Sequence, residues 1–398
     1  MVAEGVELQQ VLEDEASLPR RLVRTIEGDP GPSRAAVDLL LALARDHALW
    51  ELPEEWLVAT AVALRDNAWA LLTEGFLAQR FLGDTGRFLI VAPYAVNREG
   101  RITLVLSAIY GSVIRHPPPP DLDRALREMF RDLRQPVTRI LPITCEASCG
   151  NVRGESGEAF VVPDGWAFPR SVGGPALNDM GEQRRRFVEG GRACIRTIFD
   201  AATADLLLEI EETPEEQAIV QHEEYQFHEA GHASGIGLTH KLSAGLLATW
   251  WHGAVEEWRS DGVAFELAGR ILGEEEAGKL VASNFCTRFG VDSHRLGGPD
   301  RDRDVAASLL TFDHALRAGA FKMKGGKLAL RDLSYRGLFA ATAPHRMLAV
   351  RLTQEEMALG YEIGIHGRYG GIAVEASSRM IFDGLVRDAC EGMFKDLR

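Results

Sequence analysis

The chain has 398 residues, 46% hydrophobic and 26% charged, a balance that excludes disordered and fibrous classes and suffices for a large core or two to three domains. Its formal net charge of −14 sets the overall field against nucleic acid and anionic membranes, so neither is expected as a partner. No apolar run approaches the roughly eighteen residues that a membrane span needs.

The first residues, Met1 to Leu22, are acidic and hold no apolar stretch of the kind a secretory signal carries. With five cysteines, an odd number, at 145, 149, 194, 286 and 390, the reading is a cytoplasmic chain with reduced thiols. Cys145 and Cys149 form a C-x3-C pair without a second pair at zinc-ribbon spacing, so they read as ordinary thiols.

Residues 16–82 carry Leu and Ala at helical spacing, as in Ala35 to Leu49 and Trp56 to Leu72. Two β-rich runs follow, Arg87 to Ala95 and Arg101 to Tyr110, joined by a turn on Asn97 and Gly100. His116 to Asp121, with four consecutive prolines, is a stiff spacer and the expected boundary between an N-terminal region, 1–120, and a second region, 121–398. Beyond it a helix is expected over Leu122 to Leu133, then β-like sequence to about Pro175, then a helix over Arg184 to Leu208. Near the C-terminus, Met347 to Leu352 reads as a short strand, Gly360 to Gly371 as a glycine-rich loop, and the residues after Ser377 as a helix.

Thr213-Pro214-Glu215-Glu216 opens a helix, with Thr as cap, Pro at the first position and Glu to close a capping box. That helix runs into His228-Glu229-Ala230-Gly231-His232, and Gly235 and Gly237 then stop it. The helical repeat stacks positions i and i+4, so His228 and His232 can grip one ion while Glu229 reaches water bound to it. A catalytic zinc takes three protein ligands and keeps one position open. The next helix, Leu242 to Leu272, carries Glu256-Glu257-Trp258-Arg259-Ser260-Asp261, in which Glu257 can complete the set. Asp261, one turn on, can then accept the free N–H of a ligating imidazole and fix its tautomer. His252, twenty residues beyond His232, competes as third ligand, and His222 and His240 flank the motif. A third histidine at metzincin spacing would fall on Leu238, which excludes that arrangement.

HEAGH followed by Glu257-Trp258-Arg259-Ser260-Asp261 resembles the gluzincin metallopeptidases, whose thermolysin-like members carry HExxH and then E-x-x-S/A-D. The doubled Glu256-Glu257 is similar to the EExxAD element of the dipeptidyl peptidase III family, whose first motif is one residue longer. The 25-residue step from His232 to Glu257 is similar to that of thimet oligopeptidase-like enzymes. The resemblance, over about residues 213–273, implies His228, His232 and Glu257 as ligands of one zinc ion per chain, with Asp261 and Glu256 as supporting carboxylates. It also implies an α+β, predominantly helical fold: a metallopeptidase-like helical core with β-containing lobes that form a cleft.

In such a site Glu229 is the general base that takes a proton from zinc-bound water and returns it to the leaving amine. The oxyanion needs a further donor, and the segment from Gly360 to Gly371 offers Tyr361 and His366, with His345, Arg346 and Tyr369 as alternatives. Gly360-Tyr361 and Gly367 look like the glycine- and tyrosine-rich loop of thimet oligopeptidase-like enzymes, although Ile365 and Arg368 replace its later tyrosines. The expected activity is zinc-dependent hydrolysis of a peptide or small amide. A tailoring hydrolase for one small amide, or a silent zinc-binding scaffold, are the alternatives; three ligands plus a base, rather than four ligands, favour catalysis.

Overall fold

The computed structural model describes residues 18–52, 54–68, 86–98, 101–114, 121–131, 137, 140–150, 159–161, 176–210, 214–236, 241, 250–292, 298–300, 302–359, 369 and 372–395. The chain forms two compact units, Met1–Pro117 with Arg139–Gln183, and Pro118–Thr138 with Arg184–Arg398. The fold is α+β and predominantly helical, as the sequence implies. Among the described residues, no helix is long and apolar enough to cross a membrane.

The first unit begins with helices α1 (Leu18–Gly28), α2 (Arg34–Arg45), α3 (His47–Trp50) and α4 (Glu54–Arg65). Ser33 caps α2 by accepting from the Ala36 amide at 3.2 Å. The helix expected to reach Leu72 stops at Arg65, because Asn67 turns the backbone left-handed at φ 53°. Strands β1 (Gly86–Arg98) and β2 (Arg101–Val113) form the expected hairpin, with Arg98 opposite Arg101.

The sheet is completed by β3 (Ile140–Cys149), β4 (Ala159–Val161) and β5 (Ala176–Asp179), in the order β1-β2-β3-β5-β4, with β3 and β5 parallel. Alternation along the strands sorts the core onto two faces. Leu89, Val91, Leu106, Ala108 and Tyr110 pack with Leu22, Leu40 and Leu57 of the helices. Phe88, Ile90, Ile109, Ile143 and Leu177 form the opposite layer, where Trp56 donates its indole N–H to the Leu89 carbonyl at 2.9 Å. Cys149 is a buried free thiol, and burial pushes its pKa up to about 11. The proline spacer, residues 117–120, lies outside the described residues.

The second unit is built around one helix. It comprises α5 (Leu122–Met129) and, after α6 (Met180–Arg186) and a π-turn (Phe187–Gly191), α7 (Arg192–Ile198) and α8 (Ala201–Glu209). The single helix expected over Arg184 to Leu208 is broken after Ile198. Phe199 is extended there, and Asp200 caps α8 by accepting from the Thr203 amide at 3.1 Å. Next come α9 (Pro214–Ala233), α10 (Trp250–Leu272), α11 (Glu274–Phe285), α12 (Arg303–Arg317), the hairpin β6 (Phe321–Lys324) and β7 (Lys327–Leu330), α13 (Tyr335–Ala341), α14 (Ala343–Leu359) and α15 (Ala376–Lys395).

Helix α10 packs against α9, α11, α12 and α14. Val255, Trp258, Val263, Phe265, Leu267 and Ala268 are all buried on it, the pattern of a helix enclosed on every side. Met347 to Leu352 is helix within α14 and not the strand read from sequence. His345, Ala349, Leu352, Thr353 and Glu356 are buried at steps of three and four, so burial against α10 imposes the helical period on a short apolar run.

Candidate metal centre

The HEAGH residues occupy the last turns of α9, and Gly235 ends them with a left-handed φ of 71°. Thr213, the expected cap of this helix, lies outside the described residues. Gly231 allows α9 to approach α10 closely: a Cβ there would stand 2.4 Å from the Ser260 carbonyl oxygen. That contact places the Glu256 to Asp261 run of α10 directly beside the two histidines.

Three side-chain atoms converge on one point. The Nε2 atoms of His228 and His232 are 3.0 Å apart, and Glu257 Oε2 lies 3.3 Å from the first and 3.5 Å from the second. Glu229 is half-buried and belongs to the same cluster, with donor atoms of His228, Glu229 and His232 within 4.8 Å of one another. The Tyr225 ring stacks on His228, centroids 6.2 Å apart and planes 14° from parallel.

Each histidine is held from behind by a carboxylate. Asp261 Oδ1 lies 2.7 Å from His228 Nδ1, and Glu256 Oε1 lies 3.2 Å from His232 Nδ1, which Ser260 Oγ also approaches at 2.8 Å. A carboxylate accepts only, so each Nδ1 carries the proton and each Nε2 turns its lone pair inward. Two inward lone pairs and a carboxylate oxygen are satisfied only by a cation or a proton between them. A tetrahedral zinc with Zn–N and Zn–O near 2.0–2.1 Å separates its ligand atoms by about 3.3 Å, which the observed triangle matches.

The charges around the triangle point the same way. Burial works to lower the proton affinity of His228, but Asp261 and Glu257 outweigh it and hold the imidazole well above its ordinary range. His232 is raised against burial by Glu257 and Glu256. Asp261 is held below the carboxylate range, against burial, by Arg288 first and then His228. Arg288, which the sequence reading did not single out, donates to Asp261 Oδ2 at 2.9 Å and reaches Asp292 at 3.1 Å and Glu257 at 3.7 Å. It sits in a second π-turn, Cys286–Val291, and no local pattern marks it.

Of the other sequence candidates, His252 lies on α10 beside Tyr369, ring centroids 6.4 Å apart. His345 is buried with Nε2 2.6 Å from the Trp258 carbonyl, and Arg346 pairs with Glu266 at 2.8 Å. Those contacts commit both side chains to packing. Tyr369 is buried and hydrogen-bonded to Glu256 at 2.6 Å. Tyr361, His366 and His240 lie outside the described residues.

The model of a family of unknown function, DUF6014, matches residues 9–289. The chain belongs to this family. No curated protein matches it. Among solved structures, DPP III from Caldithrix abyssi aligns with a TM-score of 0.58 and 16% identity, over 88% of this chain and 67% of that one. Dipeptidyl-peptidase III from Corallococcus sp. strain EGB aligns with a TM-score of 0.54 and 15% identity, over 91% of this chain and 69% of that one. At these identities the likeness is one of fold, and it falls on one of the groups whose motifs the sequence resembles.

Proposed function

We propose that the chain is a zinc-dependent hydrolase of peptide bonds, with His228, His232 and Glu257 as ligands and Glu229 as general base. The observation that carries this reading is the 3.0, 3.3 and 3.5 Å triangle of donor atoms with Glu229 alongside. The shared fold with two dipeptidyl-peptidase III enzymes supports peptides as the first substrate class to test.

Zinc bound there supplies a polarised water and a Lewis acid for the substrate carbonyl. Glu229, half-buried and so open to one side, accepts the proton of the attacking water and passes it to the leaving nitrogen. Asp261 and Glu256 keep both imidazoles in the tautomer that ligates, and Arg288 holds Asp261 ionised. Tyr361 and His366 are the proposed oxyanion donors.

The test combines metal analysis with cleavage of dipeptidyl amides and longer peptides. About one zinc per chain and release of amine products are expected. Protein that stays metal-free in a zinc-replete preparation overturns the proposal. Full zinc without cleavage of any peptide, but with turnover of one small amide, moves the activity to a tailoring hydrolase.

A further inference from the structure

Behind His232 lies a buried charge cluster of which the proposed reaction uses only Glu256. Lys241 Nζ, fully buried, is 2.6 Å from Glu256 Oε2, 3.0 Å from Glu356 Oε2 and 3.2 Å from the Tyr369 hydroxyl. Tyr369 donates to Glu256 Oε2 at 2.6 Å and also contacts Glu356. Arg259 donates to Glu256 Oε1 at 2.6 Å and Oε2 at 3.0 Å, and reaches Ser234, Thr353 and the Gly231 carbonyl.

Two cations and two carboxylates thus balance, with a phenol bridging the anions. Burying four charges is a poor route to stability, since apolar residues of similar volume do as well or better. The members are Lys241, the α10 residues Glu256 and Arg259, Glu356 of α14, and Tyr369, and the cluster meets the zinc site through Glu256, whose Oε1 faces His232 Nδ1.

That meeting point decides a tautomer. His232 Nδ1 has two neighbours, Ser260 Oγ and Glu256 Oε1. A hydroxyl can donate or accept. If Ser260 donated, the imidazole proton would move to Nε2 and that nitrogen could no longer ligate. Glu256, whose carboxylate already receives donors from Lys241, Arg259 and Tyr369, stands there as an acceptor and so directs the proton onto Nδ1. Lys241, Arg259 and Tyr369 all donate to the carboxylate of Glu256 and fix it in place facing His232 Nδ1.

We infer that Lys241, Glu356 and Tyr369 are positioning residues that hold Glu256 as the acceptor of the His232 Nδ1–H and thereby set the zinc affinity of the site. The inference rests on the zinc reading above and deepens it: part of the metal's grip comes from α14 and from Tyr369, remote in sequence from every ligand.

The test measures zinc affinity by competition with a chromogenic chelator, using full-length wild type, Tyr369→Phe, Lys241→Met and the double variant Lys241→Met/Glu356→Gln. Melting of each metal-free protein and the visible spectrum of each Co²⁺ form are recorded in parallel. Tyr369→Phe and Lys241→Met are expected to weaken zinc roughly 10- to 100-fold, with altered Co²⁺ bands, while metal-free Tyr369→Phe melts close to wild type. The double variant restores the charge balance and is expected to recover most of the affinity lost on removing Lys241. Wild-type zinc affinity in Tyr369→Phe overturns the inference, as does weakening in every variant that merely tracks lower melting and shows no recovery in the double variant. If Lys241→Met does not fold, Tyr369→Phe decides alone. Wild type that takes up no zinc overturns the zinc reading itself, whereas zinc binding unchanged across the variants overturns only the network.

Discussion

Asp261 stands with one carboxylate oxygen 2.7 Å from Nδ1 of His228 and the other 2.9 Å from Nε of Arg288, all three residues buried. This single side chain orients an imidazole and neutralises a buried guanidinium, so two properties depend on it. Asp261→Asn keeps the shape and removes the charge. Zinc affinity is expected to fall roughly 10- to 100-fold, because the imidazole loses its fixed acceptor. The metal-free protein is expected to lose about 3 kcal/mol, because breaking a buried pair strands the remaining charge. Chelator competition and chemical denaturation of the metal-free variant measure the two effects; an unchanged value in both would remove Asp261 from the site.

Glu229 touches the cluster without belonging to the tightest triangle, as suits a base rather than a ligand. Glu229→Gln is expected to retain zinc at wild-type stoichiometry while peptide hydrolysis drops by about 10² to 10⁴. Loss of zinc in this variant would make Glu229 a ligand instead, and unchanged turnover would end its assignment as base.

At Gly231 the backbone of α9 lies directly against that of α10. In an isolated helix Gly231→Ala would gain about 1 kcal/mol in propensity. Here the new Cβ would meet the Ser260 carbonyl oxygen at 2.4 Å, and backbone cannot rotate away. The helices must separate, at a net cost of about 2 kcal/mol, and Glu257 moves with α10. A lower melting temperature together with weaker zinc binding is the expected result; a higher melting temperature would refute the close contact.

Acid stability should carry the mark of His345. Its ring stacks on Trp258 with centroids 4.2 Å apart, and burial first, then the nearby His314, pushes its pKa down from 6.5 to about 3. Between those values the unfolded chain binds a proton that the folded chain refuses, so this contribution to stability falls as pH drops below about 6.5. The slope is about 1.4 kcal/mol per pH unit, or roughly 2 kcal/mol lost by pH 5. His345→Asn takes up no such proton on unfolding. The stability gap between wild type and His345→Asn, measured with a metal chelator present, is therefore expected to narrow from pH 7 to pH 5; parallel pH profiles would show that His345 titrates normally.

The parts of this protein legible in the sequence are those governed by local periodicity. The i, i+4 repeat set His228 and His232 on one face and Glu257 and Asp261 on one face, and the Asn and Gly between two β-rich runs marked the first hairpin. The second hairpin was not read: Gly325 and Gly326 both take positive φ between β6 and β7, but its strands of four residues are too short to stand out by pattern. Met347 to Leu352 shows the limit: six apolar-rich residues suit a strand or a helix, and contact with α10 chose the helix.

Sequence alone therefore determined two helical half-sites and the chemistry their side chains could perform. Which residue of α10 faces the histidines, Glu257 rather than His252, depends on the rotation of one helix about its axis relative to another. That rotation is set where Gly231 meets Ser260 and by the burial of α10 on all sides. Arg288, Lys241, Glu356 and Tyr369 entered the same neighbourhood only through tertiary packing, because buried carboxylates recruit their countercharges from whatever chain the fold brings near, at any distance in sequence.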